Sequence, residues 1–231
     1  MGSLSRELMA VVVRGATCSL SEAVIDRLLS WDVDIITDGE IHAERNSTML
    51  KFSPATISSE GKGFSISFDG SDADIVIGKD IIVQDLLPSR ADRWLAPEIP
   101  AWIRGEEIDS LPRYWLCVLD AAEGIAHIAR AEKKVERIHM CGRREWQPSD
   151  SKAELLMLWN RTNQGISGEF TSETLFGHPI AGMEVKPMTQ EEGKRPDLSP
   201  LHEMLISLDT DGWRPLIPFR TALMNLIAGL N

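Results

Sequence analysis

The sequence predicts an α+β protein: an antiparallel sheet with one helix in the N-terminal half, a long central helix and a helical C-terminal part. Three observations support this fold class. Short alternating segments separated by glycine turns lie between Thr48 and Val83, a helical apolar period runs from Pro112 to Gly142, and capping signals precede later apolar stretches. Alternation of apolar and polar residues is typical of antiparallel sheets with one solvated face.

The N-terminal half is predicted to begin with a strand, a helix and a second strand. Met9 to Val13 is a β-branched run, and Ser19 with Glu22 has the spacing of a capping box. Val33 to Thr37 predicts the second strand, which the turn pair Asp38-Gly39 closes. Four alternating segments follow: Met49 to Ile57, Phe64 to Phe68, Ala73 to Ile77 and Ile81 to Val83. We expect them to form an antiparallel meander against which the helix packs.

The segment from Pro112 to Gly142 is predicted to be one long helix. Apolar residues recur at steps of three and four from Val118 to Ile138. Ser110 can cap the first amides, and Gly142 can end the helix in a left-handed conformation. At 1.5 Å per residue the helix would be roughly 45 Å long. We therefore expect it to be the spine of the domain.

The chain is predicted to be a single domain that can divide into two lobes. Residues 1–87 form a sheet-rich lobe, residues 88–112 a connector rich in Trp and Pro, and residues 113–231 a helix-rich lobe. Proline interrupts regular ladders, while Trp94 and Trp102 supply apolar area, so the connector is expected to wrap across the surface.

Three further helices are predicted in the C-terminal part. Ser151 and Glu154 form a capping box ahead of an apolar stretch, although that stretch could equally be a buried strand. Ser199 opens the second helix, and Phe219 to Leu230 is the third, because both carry apolar residues at helical spacing.

Composition and charge restrict the class of protein. The chain has 231 residues, is 43% hydrophobic and carries a formal net charge of −11, with a pI near 4.9. This acidity excludes a protein that coats DNA over its whole surface. Three cysteines without CxxC spacing and the lack of a long apolar run predict a cytoplasmic protein with no membrane contact.

A group of cations, which we name the basic stripe, is the leading candidate for a binding surface. Its members on the predicted helix are Arg130, Lys133, Lys134 and Arg137, and Arg143, Arg144 and Trp146 follow just beyond it. Clustered cations attract phosphate and carboxylate groups. The stripe predicts a non-enzymatic subunit of an intracellular assembly that docks a protein partner, or a nucleic acid, without a cofactor. The alternative is an ordinary solvated helix face with local charge pairs.

A second candidate lies near the C-terminal part, where Glu184-Val185-Lys186 follows an apolar stretch and Glu169 lies upstream. Two carboxylates can hold Mg²⁺, and a lysine can lie beside an attacked phosphate. The segment resembles the E-x-K signature of the PD-(D/E)xK nuclease family. The resemblance implies a Mg²⁺-dependent nuclease in which Glu169, Glu184 and Lys186 are catalytic.

Two other inferences concern the remaining classes of function. The acidic chain could be an inhibitor or decoy that occupies a basic site on a target. Asp120, Glu123 and His127 lie within two turns of the predicted helix, but a metal would need ligands from a second helix as well. The sequence has no P-loop and no G-x-G-x-x-G motif, so it offers no argument for a nucleotide site.

Overall fold

The computed structural model describes residues 10–37, 40–167 and 195–230. At its centre lies a sheet of five strands in the order β3-β2-β1-β4-β5. The strands are β1 Ala10–Arg14, β2 Asp34–Thr37, β3 Ile57–Ser58, β4 Phe64–Ser67 and β5 Ile75–Val76.

Every strand pairing in this sheet is parallel. Val11 of β1, for example, lies opposite Ile35 of β2 on one side and opposite Phe64 of β4 on the other. The predicted antiparallel sheet is therefore wrong, although the first strand, helix and strand are confirmed. Two more parallel pairs lie beyond β5: β6 Ile81–Val83 with β9 Ile138–Met140, and β7 Leu86–Leu87 with β8 Leu116–Cys117.

The described helices are α1 Ser19–Ser30, α2 Glu40–Arg45, α3 Ser47–Leu50, α4 Glu98–Ile103, α5 Val118–Arg130, α6 Pro148–Ser167, α7 Ser199–Ile206 and α8 Phe219–Leu230. The three predicted C-terminal helices are confirmed by α6, α7 and α8. Among the described helices, none has both the length and the apolar composition needed to cross a membrane.

The predicted long central helix is wrong. The segment from Pro112 to Gly142 contains strand β8, helix α5 and strand β9, so only Val118–Arg130 is helical. Glu132 and Arg137 adopt positive φ angles of 50° and 45°, which an α-helix does not contain. Ile138, which matched the helical period, is instead a buried residue of a strand.

Helices α1 and α5 pack against each other and cover one face of the five-stranded sheet. Val11 and Ile66 from the strands belong to the same buried cluster as Ile25 of α1 and Ile125 of α5. Successive side chains of a strand point to opposite faces, so Ser65, which is only half-buried, lies on the other face.

The described connections between β3 and β6 place no helix on that second face, because they are short. Parallel strands usually need a crossover of about a dozen residues or more, and commonly a helix, yet residues 59–63 alone join β3 to β4. Gly63 makes this route feasible, since a Cβ at Gly63 would overlap the carbonyl oxygen of Ala10.

The strand order places a topological switch point beside β1. The chain runs from β1 through α1 to β2 on one side, and it later returns to place β4 on the other side. This is the arrangement of a Rossmann-like fold, which binds its ligands in the crevice outside the carboxyl ends of the strands. The carboxyl ends of β1 and β4 are therefore the first place to look for a site.

Candidate functional site at the carboxyl ends of β1 and β4

Strand β1 leads into α1 through a tight turn that requires glycine. Gly15 has a φ of +64°, and a Cβ there would lie 2.6 Å from the Cβ of Asp69. Only glycine combines that backbone conformation with so close an approach. The turn brings the N-terminus of α1 up to the crevice between β1 and β4.

The cap of α1 lies one residue before the predicted one. Cys18 is the N-cap, and Ser21 Oγ accepts a hydrogen bond from Cys18 N–H at 3.1 Å and donates one to Cys18 O at 2.7 Å. Ser19 is therefore the first residue of the helix, and its N–H has no intrahelical acceptor. The free N–H groups and the helix dipole make such a helix start favourable for an anion.

The anion at this helix start is the carboxylate of Asp92. Ser19 N–H donates to Asp92 Oδ2 at 2.7 Å, and Trp94 N–H donates to Asp92 Oδ1 at 2.9 Å. Asp92 lies between β7 and α4, in residues 90–94, which we name the strap. The chain thus supplies its own anion at the position where Rossmann-like folds bind phosphate.

Side chains of the strap also hold the surrounding backbone. Their hydrogen bonds are Arg90 Nη2 to Glu22 Oε1 at 2.6 Å, Arg93 Nη2 to Phe68 O at 2.5 Å and Trp94 Nε1 to Cys18 Sγ at 3.3 Å. Because Phe68 follows β4 and Cys18 precedes α1, the strap bridges both sides of the crevice. It closes the crevice over the first turn of α1.

Three buried polar atoms beside the crevice lack a hydrogen-bond partner. They are Ser19 Oγ, in the first turn of α1, Thr37 Oγ1, at the end of β2, and His42 Nδ1, on α2; the three residues are 1%, 3% and 6% exposed. The other ring nitrogen of His42, Nε2, lies 2.8 Å from the carbonyl oxygen of Ala16 in the first turn. Buried polar groups in folded proteins are normally hydrogen-bonded, so these three atoms have unused capacity for hydrogen bonds at the crevice.

A cavity of about 520 Å³ lies at the ends of β4 and β5, next to the strap. Its charged lining residues are Asp69, Lys79 and Arg93, and Trp94 adds an aromatic surface. Hydrogen bonds from Ser71 and Ser67 lower the pKa of Asp69 to about 2, so its carboxylate is ionised at neutral pH. The volume lies within the range of small-molecule sites.

Asp69 and Asp74 are expected to make the fold sensitive to acid. Hydrogen bonds from Lys134 and Ser65 lower the pKa of Asp74 to about 2, and both groups have an ordinary value of 3.8. Because the folded pKa is lower than the unfolded one, the stabilisation is present above about pH 4 and is lost as the pH falls toward 2. Urea unfolding at several pH values should show a shallower loss in Asp69→Asn/Asp74→Asn than in the parent. An equal slope in both proteins would contradict this.

A larger cavity of about 770 Å³ lies on the outer side of α1 and α5, against residues 209–217. Its most central ionisable groups already have partners: Glu123 contacts Arg27 and His127, and Asp120 accepts two backbone N–H bonds from the 209–217 segment. Within residues 10–37, 40–167 and 195–230, no cluster of His, Cys, Asp and Glu could hold a metal. We therefore place the candidate site at the strand ends rather than in the larger cavity.

The basic stripe is not a face of one helix. Arg130 is the last residue of α5, whereas Lys133, Lys134 and Arg137 lie in the loop before β9. Lys134 Nζ pairs with Asp74 Oδ1 at 2.8 Å, and the Arg130 guanidinium lies 5.6 Å from the ring centroid of Trp31. The stripe was inferred from a helix that does not continue past Arg130.

The remaining candidate residues beyond β9 make contacts within the chain. The guanidinium of Arg144 lies 4.5 Å from the ring centroid of Trp146, and that ring packs against Phe219 of α8. The carbonyl oxygen of Arg143 accepts a hydrogen bond from Arg195. Glu169, Glu184 and Lys186, the predicted nuclease residues, lie outside the described residues.

The crevice was not predicted from the sequence. The turn carries Gly15 but has Thr17 and Leu20 where G-x-G-x-x-G has its second and third glycines, so no glycine motif was visible. Asp92 and Arg93 lie more than seventy residues away along the chain from the helix start that they contact. The usable signal was the order of a β-branched strand, a glycine turn and a capped helix at the beginning of the chain.

Comparison with known proteins identified the fold only through solved structures. No protein-family model and no curated protein matched the chain. The structure of the Bordetella bronchiseptica enzyme WbmF in complex with NAD+ and UDP has a TM-score of 0.50 and 11% identity, covering 96% of this chain and 92% of that one. That of dTDP-glucose 4,6-dehydratase (rfbB) from Bacillus anthracis str. Ames in complex with NAD has a TM-score of 0.49 and 10% identity, covering 96% of both chains.

These findings correct the predicted function and cofactor. The docking subunit was inferred from the helix predicted at 112–142, the nuclease from the E-x-K segment and the decoy from the net charge. The Rossmann-like fold, which the chain shares with the structure of WbmF in complex with NAD+ and UDP, contradicts these functions and the prediction of no cofactor. Predictions of a protein-interaction module and of a multi-subunit assembly are therefore wrong. At this level of identity, the similarity shows a Rossmann-like fold.

Proposed function

We propose that the protein is a nucleotide-dependent enzyme whose ligand binds at the carboxyl ends of β1 and β4. The observation that carries the proposal is the carboxylate of Asp92 on Ser19 N–H at the start of α1. It is an anion supplied by the chain at the position where this fold class binds phosphate. A nucleotide phosphate would take its place.

The residues around the turn fit such a ligand. Gly15 lets the backbone make the tight turn, and Ser19 N–H is directed at the anion position. Thr37 and His42 offer unpaired buried polar atoms near the end of β2, where the fold class holds the nucleoside part of a dinucleotide. A nicotinamide nucleotide would supply hydride-transfer chemistry, and this chain's residues would bind and orient it.

Two probes separate the kinds of nucleotide that the crevice could take. NAD+ and UDP are both named in the solved structure that shares the fold, and both contain a diphosphate. Uridine lacks the phosphates but keeps the base and ribose. Because the proposal assigns the helix start to a phosphate, it predicts binding of at least one diphosphate and much weaker binding of uridine.

Isothermal titration calorimetry of the purified protein tests the proposal. We expect saturable binding of UDP or NAD+, reduced about tenfold in His42→Ala through loss of a hydrogen bond to a ligand. Arg104→Ala is the control, because Arg104 lies on the surface and pairs with its neighbour Glu106. No binding of either diphosphate at millimolar concentration, or equal binding of UDP and uridine, would contradict the proposal.

We also propose that the protein is located in the cytoplasm. Cys18, Cys117 and Cys141 are all buried and free, which suits a reducing compartment such as the cytoplasm.

A further inference from the structure

We infer that the strap is a built-in competitor for the phosphate site, so a nucleotide binds only when Asp92 leaves the start of α1. The inference rests on the proposed function and adds its regulation. Ser19 N–H cannot serve the Asp92 carboxylate, at 2.7 Å, and a phosphate oxygen at the same time. The two anions must therefore exclude each other.

The ends of the strap are held, while its middle is attached by side chains. Ser89, just before the strap, packs so closely on α8 that a Cβ at Gly229 would overlap the Ser89 carbonyl oxygen. Ala96, just after it, belongs to a second buried cluster with Leu223 of α8. Residues 90–94 between these anchors form neither helix nor strand. This anchoring allows the middle to lift while both ends stay in place.

Two of the contacts that hold the middle down, those of Arg90 and Asp92, are of the kind that a ligand can replace, whereas Arg93 and Trp94 add hydrogen bonds to Phe68 O and Cys18 Sγ. The Arg90 side chain is 40% exposed in its pair with Glu22, and ion pairs exposed to that degree contribute little to stability. The hydrogen bond between Asp92 and Ser19 N–H is charge-assisted and is the strongest local candidate for a latch. A diphosphate brings more negative charge to the same helix start than one carboxylate does.

Displacement of the strap by a nucleotide should make the strap more susceptible to trypsin, which binding to an open site would not do. Arg90 and Arg93 leave their partners when the strap lifts, so both become better trypsin sites. Ligand binding usually protects a protein from proteolysis, because it stabilises the folded state. Here the nucleotide should accelerate cleavage after Arg90 and Arg93.

The affinity should also depend on Asp92. Removing the carboxylate removes the competitor. The dissociation constant for the nucleotide then falls to its intrinsic value, which is the apparent value multiplied by the fraction of time that the strap was open. Since a hydrogen bond to a charged group is worth about one to two powers of ten, we expect Asp92→Ala to bind UDP at least about tenfold more tightly. Asp109→Ala removes an exposed carboxylate between α4 and β8 and is the matched control.

The experiment measures UDP affinity by calorimetry and trypsin cleavage by mass spectrometry in the parent, Asp92→Ala, Asp92→Asn and Asp109→Ala. Thermal melts confirm folding, and the isosteric Asp92→Asn serves if the alanine variant unfolds. The expected result is tighter binding without Asp92 and faster cleavage at Arg90 and Arg93 with UDP in the parent. If the parent binds UDP but the Asp92 variants bind it no more tightly and UDP slows cleavage, the strap is not a competitor for the phosphate site. The proposed function then stands. If no variant binds UDP or NAD+, both fail.

Discussion

Replacing Arg113 with alanine is expected to lower the free energy of unfolding by about 3 kcal/mol, because it leaves a buried carboxylate without a partner. Arg113 Nε and Nη2 donate to the two oxygens of Glu98 at 2.7 and 3.0 Å, and Nη1 donates to Asp85 at 2.9 Å. The Glu98 residue is 2% exposed. A buried charge that loses its partner keeps its desolvation penalty and loses the attraction that offset it.

The surface pair of Arg104 and Glu106 provides the control. Its side chains are 57% and 53% exposed, so Arg104→Ala should leave the free energy of unfolding nearly unchanged. Adding Glu98→Gln to Arg113→Ala should recover part of the loss, because the buried group is then neutral. Denaturant unfolding monitored by Trp fluorescence measures all four proteins. Equal effects of the Arg113 and Arg104 substitutions would contradict the buried network.

Replacing Ser19 with proline is expected to weaken diphosphate binding by about 10- to 100-fold while leaving the fold intact, because it removes a single N–H at the helix start. Proline is favourable at the first position of a helix. The preceding residue, Cys18, has φ −121° and ψ 162°, a conformation that a residue before proline adopts readily. The measurement is made in the Asp92→Ala background, so that the strap does not enter the comparison.

Ser19→Ala in the same background separates the backbone N–H from the hydroxyl. It keeps the N–H and removes only the hydroxyl, which is also buried without a hydrogen-bond partner. Calorimetry with UDP should show a larger loss of affinity for the proline variant than for the alanine variant, because only proline removes the N–H. Equal affinities for the two would remove Ser19 N–H from the phosphate site.

The sheet shows which structural features local sequence patterns can predict. The first strand, helix and strand were predicted because each has its own period and cap. The alternation in β4 was real too, since Ser65 is half-buried and donates to Asp74 Oδ2 at 2.8 Å. Its interpretation as antiparallel failed because β3, β4 and β5 are parallel strands joined by short connections without helices, and alternation reports a half-buried strand of either direction.

The central segment failed for a related reason. Apolar steps of three and four continue past Arg130 into β9, and a short strand can satisfy the same spacing. The positive φ angle of Glu132 follows the end of the helix at Arg130 and that of Arg137 directly precedes β9, but neither residue type signals such a conformation in a sequence. The error then produced the basic stripe, because a helical face was assumed where a loop and a strand follow.

The crevice was hidden because it is made by contacts across long distances in the chain. The helix start at Ser19 meets Asp92 only through the strand order 3-2-1-4-5 and the return of the chain after β7. Propensity and periodicity describe neighbours along the chain, and they do not specify such pairs. Thr37 and His42 became candidates only when their burial and their missing partners were known.

The most direct test of the central claim is the backbone amide resonance of Ser19 in ¹⁵N-labelled protein during titration with UDP, with uridine as the parallel titration. A phosphate that replaces the Asp92 carboxylate should shift the resonances of Ser19 and of the turn that begins at Gly15, and uridine should leave them nearly unchanged. If UDP binds but the Ser19 resonance stays fixed while residues of another surface shift, the ligand does not bind at the start of α1, and the account is wrong.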